Sequence, residues 1–277
     1  MSLVMPDIRS AIEQLAAGHN LPCVLAAWGH GTEVQLLAAG ADAADAPPAS
    51  TALFPVASVT KLATALAVLR IVASGGAALD DPLAVHVPEA AAAVDGVTLR
   101  SLLCHTSGLP DDVAPALAPY AMGLTWERLA QACLATGLVR PPHSHVTYSN
   151  VGYGLLALIV ERRTGLPFAT ALTGLVLDPL GIEGYLGVEP PRPPVRVAGK
   201  LGEHAGTELE PFNSVFWRSL AMPWAGLVTT AGGALVLMRA FVGEPHGFLP
   251  ADLLQVATAD QTRGLAGGFT GWLEWNP

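Results

Sequence analysis

The stretch FPVASVTKLATALAVLR, Phe54 to Arg70, decides the fold class of this 277-residue chain. Leu62, Leu66 and Leu69 recur at i, i+4 and i+7, and Gly75-Gly76 supply a stop, so Ser58 to about Ser74 reads as one helix. It is apolar nearly all round, as expected of a helix buried at the centre of a domain. Lys61 and Arg70 alone interrupt it with charge.

Lys61 stands three residues after Ser58, one helical turn on, so its amine lies on the same face and within reach of the serine hydroxyl. A serine hydroxyl is a poor nucleophile until a neighbouring base takes its proton, and a desolvated lysine amine can serve as that base. Arginine cannot. The chain holds twelve Arg and two Lys, so it uses Arg wherever plain positive charge suffices, and a Lys kept beside a Ser suggests proton transfer. Ser-x-x-Lys is a short pattern that also arises by chance. This copy is the only one in the chain, and it opens a buried helix just behind an apolar, strand-like segment, the strand-to-helix setting that such motifs require.

Bulk properties narrow the function. The length suffices for one large domain, or for two lobes sharing a core, without staples. Cys23, Cys104 and Cys133 are odd in number and far apart, with neither CxxC nor zinc-finger spacing, and read as small buried thiols. A formal charge of −9 with 13% charged residues leaves no basic stripe for nucleic acid, and disfavours an anionic membrane surface. The apolar runs Leu62–Ala73 and Val151–Val160 fall short of the roughly 18 residues a membrane span needs. The start MSLVMPDIRS has no basic region followed by an apolar one, so a cytoplasmic location is expected.

Working outward, Ile8–Gly18 has helical spacing, and CVLAAWGHGTEVQLLAAG reads as a hairpin around GHGTE. ADAADAPPAS is a loop. From DDPLAVHVPEAA to about Leu220, Pro- and Gly-rich loops alternate with helical stretches at Leu99–Cys104, Trp126–Thr136 and Gly152–Arg163. VEPPRPPVRVAG marks an extended connection. GLVTTAGGALVLMRAFVG reads as a short strand or turn leading into a helix from about Thr230 to Val242.

A second constellation is VTYSNVGYGLLALIVERR. Tyr148 and Asn150 flank Ser149 directly ahead of a helix, where a rigid element can hold both side chains. A phenol beside a lysine ammonium suits acid/base work, and an asparagine amide offers a substrate both donor and acceptor. An ordinary cap with a tyrosine packed beside it would look the same.

Ser58-Val59-Thr60-Lys61, LRSLLCHTSGLPDD (Leu99 to Asp112) and Tyr148-Ser149-Asn150 stand in this order along the chain. Together they resemble the serine β-lactamase and penicillin-binding-protein superfamily, in its class C-like branch with family VIII esterases and D-alanyl-D-alanine peptidases. YGLLALIVERRTGLPF, LDPLGI and WAGLVTTAGGALVLMRAF resemble the same family. The resemblance implies an α+β fold of the β-lactamase/transpeptidase type, an antiparallel sheet with flanking helices plus a mainly helical lobe. Residues 1–57 and 222–277 would form the α/β lobe, 58–221 the helical lobe, with the site between them. It further implies that Ser58 is acylated, that Lys61 and Tyr148 manage its proton and later activate water, and that Asn150 binds the substrate's amide or carbonyl. The Ser58 backbone N–H would supply half of an oxyanion hole, and His105 of the HTSGL loop would be structural. No cofactor or metal is implied, and the partner would be a small ester, β-lactam or D-amino-acid peptide.

The chain departs from this family at its third motif, KTG or HxG, which supplies the second oxyanion donor. The nearest text, GGFTGW at Gly267–Trp272, has Phe269 where Lys or His is expected and reads as a loop. Few residues follow it, so the last strands are expected to be lacking, and loss of one oxyanion donor costs about 3–4 kcal/mol. That motivates an alternative, a catalytically impaired or non-catalytic protein that keeps the fold. A metal-dependent hydrolase through His143 and His145 lacks an HExxH pattern. Dinucleotide binding lacks GxGxxG after a strand.

Overall fold

The computed structural model describes residues 5–19, 21, 23–29, 33–40, 48–197, 202–262 and 264–266. At its centre is the helix read from Phe54–Arg70. It runs as α2, Thr60–Ala73, following α1 at Met5–Gly18. Ala63, Ala65, Leu66, Ala67 and Leu69 have no exposed surface. Each buried leucine contributes about 1.5–3 kcal/mol relative to exposure, which more than offsets the lack of a side-chain cap at the start of α2. The helix ends as expected: Gly75 takes φ +76° and donates to Val72 O, while Gly76 donates to Ile71 O, the paired bonds of a left-handed glycine cap. Ser58 itself lies outside the α-helix, in a short 3-10 turn over Ala57–Val59.

The described residues form two antiparallel sheets. Strands β1 (Cys23–Trp28) and β2 (Gln35–Gly40) form the expected hairpin, Cys23 opposite Gly40 and Trp28 opposite Gln35. A second sheet has order β3-β5-β4, with β3 at Leu53–Pro55, β4 at Gly184–Tyr185 and β5 at Val228–Thr230. Thr229 on the middle strand faces both Phe54 and Gly184. The stretch 58–221, expected to be mainly helical, contributes β4 to this sheet. The proline-rich connection is tied down beside β3, where Val195 N donates to Leu53 O.

The remaining helices are short, except α6. They are α3 (Leu83–His86), α4 (Leu99–Leu103), α5 (Trp126–Ala135), α6 (Asn150–Thr164), α7 (Phe168–Leu172), α8 (Val215–Ser219), α9 (Ala231–Ala240) and α10 (Ala251–Thr258). Of these, α3, α7, α8 and α10 have no counterpart among the helical stretches named from the sequence. Thr98 caps α4 in a reciprocal box with Ser101, and Thr125 and Thr230 cap α5 and α9. Helix α6 packs against α2, α4 and α5, and its Leu155, Leu156 and Ala157 are fully buried.

A glycine permits the tightest of these approaches. A Cβ added at Gly154 would lie 2.5 Å from Cys133 Sγ and 3.2 Å from the Trp224 ring. Ala in a helix interior normally gains about 1 kcal/mol over Gly. Here the overlap outweighs it, and Gly154→Ala is expected to lower stability in urea unfolding by about 1–2 kcal/mol net. A variant as stable as wild type would refute this packing.

Cys104 and Cys133 are buried as expected, whereas Cys23 is half-buried at the start of β1. Burial pushes both inner thiols up, Cys133 to about 12, which suppresses the thiolate that reacts with alkylating agents. Iodoacetamide at about pH 8 is expected to leave Cys104 and Cys133 unmodified in the folded protein and to label both after denaturation, read by peptide mass. Labelling at the rate of a free thiol would contradict the packing at the end of α4 for Cys104, or around α5 for Cys133.

Candidate active site

The chain reaches Ser58 through a strained reversal. Ala57, between β3 and the serine, has φ +45°, a left-handed conformation that costs a residue with a Cβ about 1–2 kcal/mol. The turn leaves Ser58 exposed at the head of a buried helix. A strap over residues 223–227 holds this corner. Val56 N donates to Leu227 O at 3.0 Å, Leu227 N to Thr60 Oγ1 at 3.0 Å, and Thr64 Oγ1 to Pro223 O at 2.5 Å.

Lys61 is 2% exposed. Its ammonium donates to Ser58 Oγ at 3.3 Å, to Trp224 O at 3.1 Å and, in a short bond, to Tyr148 OH. The amine also lies 4.3 Å from the centre of the Tyr148 ring. Ser58 Oγ and Tyr148 OH are 2.6 Å apart. The structure thus brings together Ser58, Lys61 and Tyr148. The phenol is the closer of the two groups to the serine oxygen.

Tyr148 is delivered by the start of α6. Ser149 caps that helix, its Oγ accepting from Gly152 N at 3.1 Å and donating to Pro110 O at 2.6 Å. Asn150 is the first residue of α6. Its backbone N–H donates to Asp111 O, and its Nδ2 donates to Asp112 Oδ2 at 3.3 Å. Its Oδ1 is buried with no hydrogen-bond partner among the described residues. The side chain is therefore less open than its place beside the motif suggests, since the donor half is held by Asp112.

The HTSGL loop lies behind Tyr148. His105 is buried at φ +60°, and its Nδ1 accepts from Ser149 N at 3.0 Å. Its ring lies 4.8 Å from the Tyr148 ring and 5.3 Å from that of Tyr153.

A family model described as Beta-lactamase matches residues 8–274 of the chain. The chain belongs to the beta-lactamase family. It is a serine hydrolase with the α+β, β-lactamase/transpeptidase-like fold. Esterase EstB of Burkholderia gladioli is 33% identical to this beta-lactamase family member, over 80% of this chain and 67% of the esterase. Among solved structures, EstCE1, a hydrolase with promiscuous acyltransferase activity, has the same fold at a TM-score of 0.73 and 20% identity, covering 96% of this chain and 81% of its own. A D-amino acid amidase from Ochrobactrum anthropi SV3 superposes at a TM-score of 0.74 with 25% identity, covering 91% of this chain and 73% of its own.

Other expectations fall elsewhere. His143 Nε2 pairs with Gly96 O, and His145 Nδ1 with the neighbouring Ser144 Oγ. Among the described residues no three His, Cys, Asp or Glu gather as metal ligands. No described helix is long and apolar enough to cross a membrane. GGFTGW lies outside the described residues. Sequence reasoning misses the Trp224 carbonyl, the Asp112 carboxylate and the bracket that His105 makes around Tyr148. WAGL carries part of the family resemblance, but a backbone acceptor leaves no signature in residue type.

Proposed function

We propose that this chain hydrolyses small esters or amides through an acyl-enzyme on Ser58. Tyr148, as a phenolate held by the Lys61 ammonium, takes the Ser58 proton across their 2.6 Å contact as Oγ attacks the substrate carbonyl and so becomes the neutral phenol. The carbonyl electrons move onto oxygen, which accepts a hydrogen bond from the Ser58 N–H, a group at the head of a turn where N–H groups have no intrahelical acceptor. When the tetrahedral intermediate collapses, the bond to the leaving group breaks and Tyr148 returns the proton to that group. Water then repeats the sequence at the acyl carbonyl and releases Ser58.

The observation that carries this reading is the convergence of a buried ammonium, a phenol and an exposed serine hydroxyl on one point. Both an esterase and a D-amino acid amidase resemble the chain, which supports carbonyl substrates with either oxygen or nitrogen leaving groups. The test incubates the chain with a fluorophosphonate and, separately, with p-nitrophenyl butyrate, nitrocefin and D-phenylalaninamide. The expected result is a single adduct mapped to Ser58 and turnover of at least one substrate. A folded chain that gains no adduct and turns over none of the three would end the proposal.

A further inference from the structure

His105 brackets Tyr148 through two hydrogen bonds from the residues on either side of it. The His105 carbonyl accepts from Thr147 N at 2.8 Å, and its Nδ1 accepts from Ser149 N at 3.0 Å. The imidazole also lies against the phenol ring, 4.8 Å between centroids. Tyr148 is thereby held at three points by one residue, and the bracket is fixed in turn by the left-handed backbone of His105. Around this imidazole stand Tyr148 from the segment before α6, Tyr153 from α6 and, across both phenol rings, the Lys61 ammonium from α2.

We propose that His105 is a positioning residue for the hydrolysis, its Nδ1 lone pair setting where the Tyr148 oxygen sits between Ser58 and Lys61. The proposal rests on the reading of Tyr148 as the group that exchanges a proton with Ser58. A near-attack arrangement tolerates little drift, since a displacement of about 1 Å can cost about a hundredfold in rate. Without an acceptor at Nδ1, the Ser149 N–H is left buried and unpaired, and the 147–149 segment relaxes toward another partner.

Two replacements suit the left-handed backbone at this position. His105→Gly removes both ring and acceptor, whereas His105→Asn places a carbonyl oxygen where Nδ1 stood. With p-nitrophenyl butyrate, His105→Gly is expected to lower kcat by about 10- to 100-fold with KM changed less than about threefold. His105→Asn is expected to recover kcat to within about fivefold of wild type. In a Tyr148→Phe background, adding His105→Gly should change kcat by less than about threefold, because the group it positions has gone. Equal losses in both backgrounds, or Asn as damaging as Gly with circular dichroism unchanged, would overturn the proposal. Tyr148→Phe with undiminished kcat would instead sink the proton-transfer reading, so the two failures are told apart.

Discussion

Ser58→Ala is expected to yield a folded protein that gains no fluorophosphonate adduct and whose kcat falls by about 10⁴- to 10⁶-fold, the scale of nucleophile loss in serine hydrolases. The fold should survive because Ser58 is exposed and its hydroxyl is bonded to the Tyr148 and Lys61 side chains rather than into the core. The strap from Trp224 O to Lys61, and the bond between Lys61 and Tyr148, do not depend on it. Removing the hydroxyl leaves the ammonium and phenol still paired, so thermal stability should match or slightly exceed wild type. Intact mass after labelling, beside a melting curve, reads both arms. An adduct elsewhere on the chain, or turnover within about tenfold of wild type, would remove Ser58 from the mechanism.

Lys61→Met and Tyr148→Phe are each expected to lower kcat by about 10²- to 10⁴-fold, the range for loss of a positioned proton-transfer group. The double variant should lose little beyond the worse single one, because the two groups act on the same proton as a unit. Their geometry is the reason: Tyr148 OH meets both Ser58 Oγ and the Lys61 amine, so neither is an independent base. Lys61→Arg should not rescue, since a planar guanidinium does not fit a site built around a point-like ammonium. Multiplied losses in the double variant would mean that the two residues serve separate steps. Single-turnover rates with p-nitrophenyl butyrate decide between these outcomes.

Much of the site is legible in the residues alone. Ser58 and Lys61 share a face because they are three residues apart, and Tyr148 precedes α6 because Ser149 is a good cap. The turn of Ala57 is not legible. Alanine is no signal for a left-handed backbone, and only the pull of Val56 to Leu227 and of α2 into the core makes that conformation bearable. The motif suggests an Asn150 open to substrate as both donor and acceptor, but its donor is taken by Asp112, which the HTSGLPDD loop brings across from another part of the chain. Cys23 departs from the expected burial for a similar reason: β1 is half-covered along its whole length, and composition does not tell which residues lie at a sheet's edge.

By itself the sequence determined the helices α1, α2, α4, α5, α6 and α9, the stop of α2 and the order of the motifs, since these depend on bonds and packing within about one turn of the chain. It also determined which helices are central, through apolar residues on every face of α2 and α6. Tertiary structure alone decided that the three groups meet. The contacts of Tyr148 with Ser58 and Lys61 span 90 and 87 residues, and that of Lys61 with Trp224 spans 163. Burial is non-directional and says only that α2 and α6 go inside. Which side chains then face one another is set by the interlocking of their surfaces, at Gly154 against Cys133 and at His105 against Tyr148, and that information belongs to no single segment of the chain.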